Sequence, residues 1–288
     1  MTKTHLIDST PSLVEVLDSL DNLPTSPPSL YIDLEGINLS REGSISILQL
    51  FNHPKEQVYL IDVHLLGETA FTTTGTNGTS LKSILECADT PKVFFDVRND
   101  SNALFFHFGI RLRGVEDIQL MENATRPGLA GRKKFVSGLA RCVEQDAPVS
   151  PAAKKSWKEK RDTGLRLSLP DRGGSVEVFN LRPMPRAIKE YCAQHLLFLP
   201  LLRSLYWLKL SPEWEGKVAS ATKERVRVSQ TLTYQPNTRD KTLSPWQSLN
   251  SNNYYNNNNN SSSSSSSNYG RTGIPDGFLR RLDLFGGR

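Results

Sequence analysis

The stretch Leu30-Tyr31-Ile32-Asp33-Leu34-Glu35-Gly36 constrains this chain more than any other. Leu30, Ile32 and Leu34 alternate with Tyr31, Asp33 and Glu35. A period of two specifies a β-strand, here with one apolar face and one face that carries two carboxylates. Same-side residues on a strand lie roughly 6.5–7 Å apart. Carboxylates at that spacing can converge on two divalent ions about 3.5–4 Å apart. Unpaired buried charge is costly. Two acids on one strand face therefore mean either a metal site or an edge strand whose polar face is solvated, and the strand alone leaves both open.

The flanking sequence predicts the sheet around it. A helix is expected over 9–22, from the start signal Ser9-Thr10-Pro11 and from Leu13, Val16, Leu17 and Leu20 at helical spacing. After the acidic strand, Gly43 turns the chain into Ile45, Ile47, Leu48 and Leu50, and His53-Pro54-Lys55 turns it again into Val58 to Val63. Short turns imply an antiparallel meander. A helix then begins at Leu81 and ends at Pro91, followed by a strand over Lys92 to Asp96. A further helix is expected over Asn99 to Gly109 with Asn99 as its N-cap, then a short strand over Val115 to Ile118. Alternating strand and helix implies parallel pairing through crossover helices. The fold class expected is α/β: a mixed sheet, meander first and βαβ units after, with helices on both faces. Phe135 to Gln145 reads as a helix. Residues 147–175 read as a basic loop, with Pro148, Pro151, Pro170, Gly173-Gly174 and six Lys/Arg against two acids between Lys154 and Arg166. Met184 to Leu210 is the longest helical pattern, which Pro200 should break or bend.

Composition sets this body apart from the C-terminal third. The chain has 288 residues, enough for one substantial domain with extensions, and its 37% hydrophobic content is low because of that third. Residues 250–268 are nine Asn, eight Ser and two Tyr. Such a stretch cannot bury enough apolar surface to offset chain entropy. The expected organisation is a domain over 1–212, a basic helical extension over 213–245 and a disordered low-complexity tail over 246–288. A net charge of +5 suits an anionic partner. Cys87, Cys142 and Cys192 show no paired spacing, which points to reduced thiols. No apolar run reaches the ~18 residues that span a membrane, and Met1 to Pro11 lacks the apolar core of a secretion signal. An intracellular protein, nuclear or cytoplasmic, is expected. His53, His64 and His107 have no partners at metal spacing and read as ordinary turn or surface histidines.

Three motifs carry chemistry together. The first is Asp33-x-Glu35. The second runs from Lys92 through Asp96, Arg98 and Asn99 to Asp100, with Leu104 and Phe108-Gly109-Ile110 after it, and sets Asp100 at the start of a helix directly after a strand. The third is Tyr191-Cys-Ala-Gln-His195, whose first and last residues share one helix face. With Val115-Glu-Asp117-Ile-Gln119 and Arg182-Pro183, these motifs in this order resemble the DEDD superfamily of 3′-5′ exonucleases, which has the ribonuclease H-like fold. Within it the chain is most similar to ribonuclease D and to Egalitarian-like exonuclease-domain proteins of the fungal type. The similarity covers residues 9–210.

The resemblance implies two-metal phosphodiester hydrolysis. Asp33, Glu35 and Asp100 would hold two Mg²⁺ or Mn²⁺ ions, and Tyr191 would orient the attacking water or help deprotonate it. A 3′-terminal nucleotide would sit against the Leu34–Gly36 backbone, with Gly36 permitting close approach. His195 stands where the family has its final aspartate. Imidazole binds Mn²⁺ or Zn²⁺ but is a poor ligand for Mg²⁺. His195 is thus either a fourth metal ligand or a satisfied, partly buried histidine in a degenerate site. For nucleic-acid contacts the candidates are Arg132, Lys133, Lys134, Lys154 and Lys155, with Trp157 available to stack on a base; a solvated basic surface is the alternative. The leading expectation is a metal-dependent 3′-5′ exonuclease acting on single-stranded RNA or DNA. The rivals are a pseudo-exonuclease that binds nucleic acid as a scaffold in RNA metabolism, and a protein-interaction module.

Overall fold

The computed structural model describes residues 2–127 and 133–246. Six strands form one mixed sheet: β1 (Lys3–Ile7), β2 (Leu30–Glu35), β3 (Ile47–Asn52), β4 (Gln57–Ile61), β5 (Lys92–Phe94) and β6 (Val115–Asp117), in the order β1-β4-β3-β2-β5-β6. The meander β2-β3-β4 is antiparallel as expected, and β5 and β6 join it in parallel. Helices α1 (Thr10–Ser19), α2 (Val63–Leu66), α3 (Thr69–Thr72), α4 (Leu81–Glu86) and α5 (Arg98–Phe108) precede β6. After it come α6 (Ile118–Thr125), α7 (Leu139–Asp146), α8 (Pro151–Ser168), α9 (Arg186–Leu197), α10 (Leu199–Trp207) and α11 (Pro212–Ser229).

The period-two pattern of β2 sorts its side chains onto two cores. Leu30, Ile32 and Leu34 pack with α1, α4 and α5 through Leu13, Leu17, Leu81, Leu85 and Leu104. Tyr31 faces the other way, into a core built with α6, α8, α9 and α10 through Ile118, Trp157, Ile188 and Leu202. Asp33 and Glu35 share the Tyr31 face, so the acidic side of the strand looks toward α9. β2 pairs with β3 along all its length, from Leu30–Asn52 to Glu35–Ile47. It pairs with β5 only at Leu30 and Tyr31. Beyond Tyr31 one flank of the strand is open, and there the chain leaves β5 and turns into α5.

Several expectations change. The edge strand β1 carries no strong apolar alternation that would announce it; it pairs in parallel with β4. α5 starts at Arg98 with Val97 as its N-cap, so Asn99 lies inside the first turn. The helix expected from Phe135 starts only at Leu139, because Phe135 bridges to Leu243 instead. The stretch 147–175, expected as a basic loop, holds the 18-residue helix α8, opened by Ser150 capping Ala153 N and by Pro151 in the first turn. Proline at that position is a helix start rather than a breaker. Met184 to Leu210 divides into α9 and α10, as Pro200 required. α11 packs on α5, α6 and β6. Arg132 and residues 247–288, with the tail, lie outside the described residues. Among the described residues, no helix is long and apolar enough to cross a membrane.

Gly36 meets its constraint inside the protein. A Cβ there would lie 2.0 Å from the Ser44 carbonyl oxygen, where the chain folds back from β2 toward β3. Gly36→Ala is expected to destabilise the fold by at least ~2 kcal/mol through this overlap. Denaturant unfolding of native and variant protein measures it; equal midpoints would show that the turn yields.

Candidate metal centre

Asp33 and Glu35 leave β2 on the side that α9 covers. From α9, His195 reaches back between them. Its Nδ1 lies 3.2 Å from Asp33 Oδ2 and 3.4 Å from Glu35 Oε1. One ligand atom from each of Asp33, Glu35 and His195 falls within 4.8 Å of the others. Tyr191, one turn earlier on α9, hydrogen-bonds Glu35 and sets its ring 4.3 Å from the His195 ring, edge-on at 67°. Gln49 lies directly opposite Asp33 on β3, and with its amide nitrogen turned toward Asp33 it donates to Asp33 Oδ2 at 3.2 Å and to the Cys192 carbonyl at 2.7 Å.

Asp100 enters from the open flank of β2, in the first turn of α5, where the helix dipole favours a carboxylate. The approach is fixed by a web of charge at the strand–helix joint. Asp96 takes a left-handed backbone (φ 62°), which Asp tolerates better than most residues. Its carboxylate pairs with Arg98, Nε to Oδ1 at 2.5 Å and the terminal nitrogen to Oδ2 at 2.7 Å. Asp117, wholly buried, accepts from Asp96 N, Val97 N and Gln119 N and from Arg225 of α11.

Burial opposes the ionisation of Asp100 and Glu35. It pushes the Asp100 carboxyl well above the ordinary range, reinforced by the charges of Asp33, Asp96 and Glu35. It raises Glu35 too, with Asp33 adding to the effect and hydrogen bonds from His195 and Tyr191 opposing it. Burial alone would lower His195, but its hydrogen bonds to Asp33 and Glu35 and their charges win and hold it at about 9. Burial, and then the Glu35 charge, lift Tyr191 above the usual phenol range. Tyr191 therefore keeps its proton at neutral pH and serves as a donor, not a base. Two carboxylates and an imidazole in mutual reach, with a third carboxyl that resists ionising beside them, form a donor set short of positive charge. A divalent cation fits it, and the nitrogen ligand favours Mn²⁺ or Zn²⁺ over Mg²⁺.

The other predicted residues are dispersed. Leu34 is in the core, its side chain pointing away from the acids. Trp157 is a correction: it is buried, donates to the Gln194 carbonyl at 3.3 Å, and has no face free for a base. Lys133 caps α6 at the Ala124 carbonyl (2.8 Å), and Lys134 is exposed beside the Phe135 ring. Lys154 donates to the Glu144 carbonyl, and Lys155 pairs loosely with Glu159. Sequence reasoning missed Gln49, whose only signal was its register opposite Asp33, and Gly164 of α8. A Cβ at Gly164 would lie 2.1 Å from the Tyr191 ring.

This arrangement places a carboxylate-rich cluster, with an imidazole among the acids, at the open flank of a strand in a mixed sheet. Residues 5–198 match the family model described as 3′-5′ exonuclease. The chain belongs to that 3′-5′ exonuclease family, within the DEDD superfamily. The mouse piRNA biogenesis protein EXD1 is 38% identical over 93 residues, 32% of this chain and 15% of that protein, so the match spans a small part of the curated relative. Trypanosoma brucei RNase D in complex with GMP has the same fold, with a TM-score of 0.66 at 19% identity over 85% of this chain and 70% of that one. The same enzyme with RNA U12 gives 0.63 at 22%, over 86% and 79%.

The folded protein holds the His195 proton up to about 9, whereas an unfolded histidine releases it near 6.5. The stability that His195 draws from Asp33 and Glu35 is therefore complete below about 6.5 and lost as pH rises through about 9. In metal-free protein, the stability margin of native over His195→Asn should shrink across that window. A margin constant with pH in chemical denaturation would show that His195 does not carry the proton.

Proposed function

We propose that the chain is a metal-dependent exonuclease that removes nucleotides from the 3′ end of a single strand. The observation that carries it is the cluster of Asp33, Glu35 and His195, whose ligand atoms lie within 4.8 Å of one another, with Asp100 in the first turn of α5 close enough for the charges of Asp33 and Glu35 to act on it. When bound, divalent ions supply an activated water and charge stabilisation for the leaving 3′ oxygen. Asp33, Glu35, Asp100 and His195 are the residues that would hold them. Tyr191 fixes the Glu35 carboxylate by donation, and Gln49 does the same for Asp33. The RNase D structures with GMP and RNA U12, and the naming of EXD1 for piRNA biogenesis, support RNA over DNA as the substrate. An intracellular setting, which suits three free cysteines, belongs to the same proposal.

One observation favours a second reading. A protonated His195 between Asp33 and Glu35 already supplies positive charge to both. A chain so satisfied could bind RNA as a scaffold without cutting it. Its mark is salt-sensitive RNA binding that persists without divalent metal, with no hydrolysis in Mn²⁺.

Two outcomes are expected. A 5′-labelled single strand incubated with native protein and Mn²⁺ shortens from its 3′ end, and Asp33→Ala stops it; degradation that persists in Asp33→Ala comes from a contaminant and sinks the enzyme reading. His195→Asp shifts the preference from Mn²⁺ toward Mg²⁺. Identical activity of native and variant protein in both metals would place His195 outside the coordination shell.

A further inference from the structure

Residues 231–246 form a strap that returns from the end of α11 to the first turn of α5, the turn that carries Asp100. The strap lies beyond residue 198, where the family match ends. Its parts are anchored closely. Ser244 N donates to the Lys134 carbonyl at 2.9 Å and Val136 N to the Thr242 carbonyl at 2.8 Å, while Phe135 bridges to Leu243. Trp246 is buried, edge-on against Trp214 at 5.2 Å. At the centre is Lys241, in the short 3-10 turn Arg239–Thr242. Arg98, itself held by Asp96, donates to the Lys241 carbonyl at 2.9 Å. The Lys241 ammonium donates to Asn99 Oδ1 at 2.7 Å, and Tyr234 OH donates to the same oxygen at 2.8 Å. Asn99 immediately precedes Asp100.

We propose that Lys241 is a phosphate-positioning residue, whose ammonium receives a backbone phosphate of the single-stranded substrate beside Asp33, Glu35 and Asp100. This rests on the exonuclease reading of that site. The ammonium has three N–H donors, and one is used on Asn99. Among the described residues it makes no direct ion pair, although the Asp96 and Asp100 charges reach it. A half-buried cation without a direct counter-ion is an unfavourable arrangement, and a phosphate oxygen would complete it with charge-assisted hydrogen bonds. The residue is also preorganised: main chain and side chain are each held by a separate partner on α5, so little ordering is left for binding to require. The Tyr234 and Arg98 contacts position Lys241 rather than touch substrate. The exposed Lys134 lies on the segment paired with the strap and extends the positive surface along it.

The test measures binding of a 5′-labelled single-stranded RNA by the full chain in Mn²⁺. An Asp33→Ala background keeps the strand intact, and Lys241→Met and Lys241→Arg are added to it. Lys241→Met should weaken binding roughly tenfold at low salt and make the salt slope shallower by about 0.7, the loss of one phosphate contact on a single strand. Lys241→Arg should bind nearly as the background does. With Asp33 intact, Lys241→Met should raise KM while kcat is kept. Unchanged affinity and slope in a chain that binds and degrades RNA would overturn the phosphate role and leave the exonuclease standing. Equal losses in Lys241→Met and Lys241→Arg, with a lowered unfolding temperature in both, would make Lys241 a strut and overturn the proposal. Native protein that neither binds nor degrades the strand overturns this and the exonuclease reading together.

Discussion

Carboxyl groups crowded into a buried place repel one another's ionisation. Here burial disfavours the charge of Glu35 and of Asp100, and the neighbouring acids add to the effect. Much of the nearby structure answers that repulsion. His195 lies between two of the acids, Gln49 and Tyr191 donate to one each, and Lys241 stands near the third. The fold supplies the geometry that makes the conflict possible. β5 stops pairing with β2 after Tyr31, so the acidic end of the strand faces a gap, and α5 brings Asp100 to it.

A second layer keeps the gap from closing or drifting. Asp117 is one buried carboxylate with donors from the β5–α5 joint, from α6 and from α11. Arg98 links Asp96 to the strap. Arg182 does similar service on the other side of the sheet's end, holding Asp62 and the carbonyls of Phe179 and Leu181. Hydrogen bonds to charged groups are among the stronger ones, and these converge on the ends of strands, where the site is. The charged residues that brace the strand ends thus differ from those proposed for the chemistry, although they stand a few positions apart in sequence.

The sheet and the acids are legible in the sequence because each depends on local pattern. β2 declares itself by period-two alternation, and Asp100 by its place after a strand at a helix start. His195 shares a helix face with Tyr191, but its assignment to the site comes from the family resemblance, in which it stands in place of the final aspartate. What cannot be read has a physical reason in each case. β1 is short and largely exposed at the sheet edge, so burial imposes little pattern on it. α8 looks like a loop because prolines and paired glycines bracket it and its exposed face is basic, yet Ala153 and Trp157 supply the buried stripe. Trp157 reads as a stacking surface because a tryptophan among lysines gives no sign of which way it turns. Tyr234 and Lys241 act across a sequence distance of more than a hundred residues, and no local period records such a contact.

Gly164 joins a helix that the sequence pattern hid to the site that it pointed to. The absence of a side chain there lets α8 lie directly on the Tyr191 ring. Glycine inside a helix lowers helix stability by roughly 1 kcal/mol relative to alanine, so the position trades secondary-structure strength for contact. The two properties cannot be improved independently. A stabilising substitution chosen on α8 alone, of the kind that usually succeeds on helices, would be transmitted to the tyrosine and through it to Glu35. The packing of this helix is therefore coupled, through one aromatic ring, to the position of a carboxylate on the facing strand.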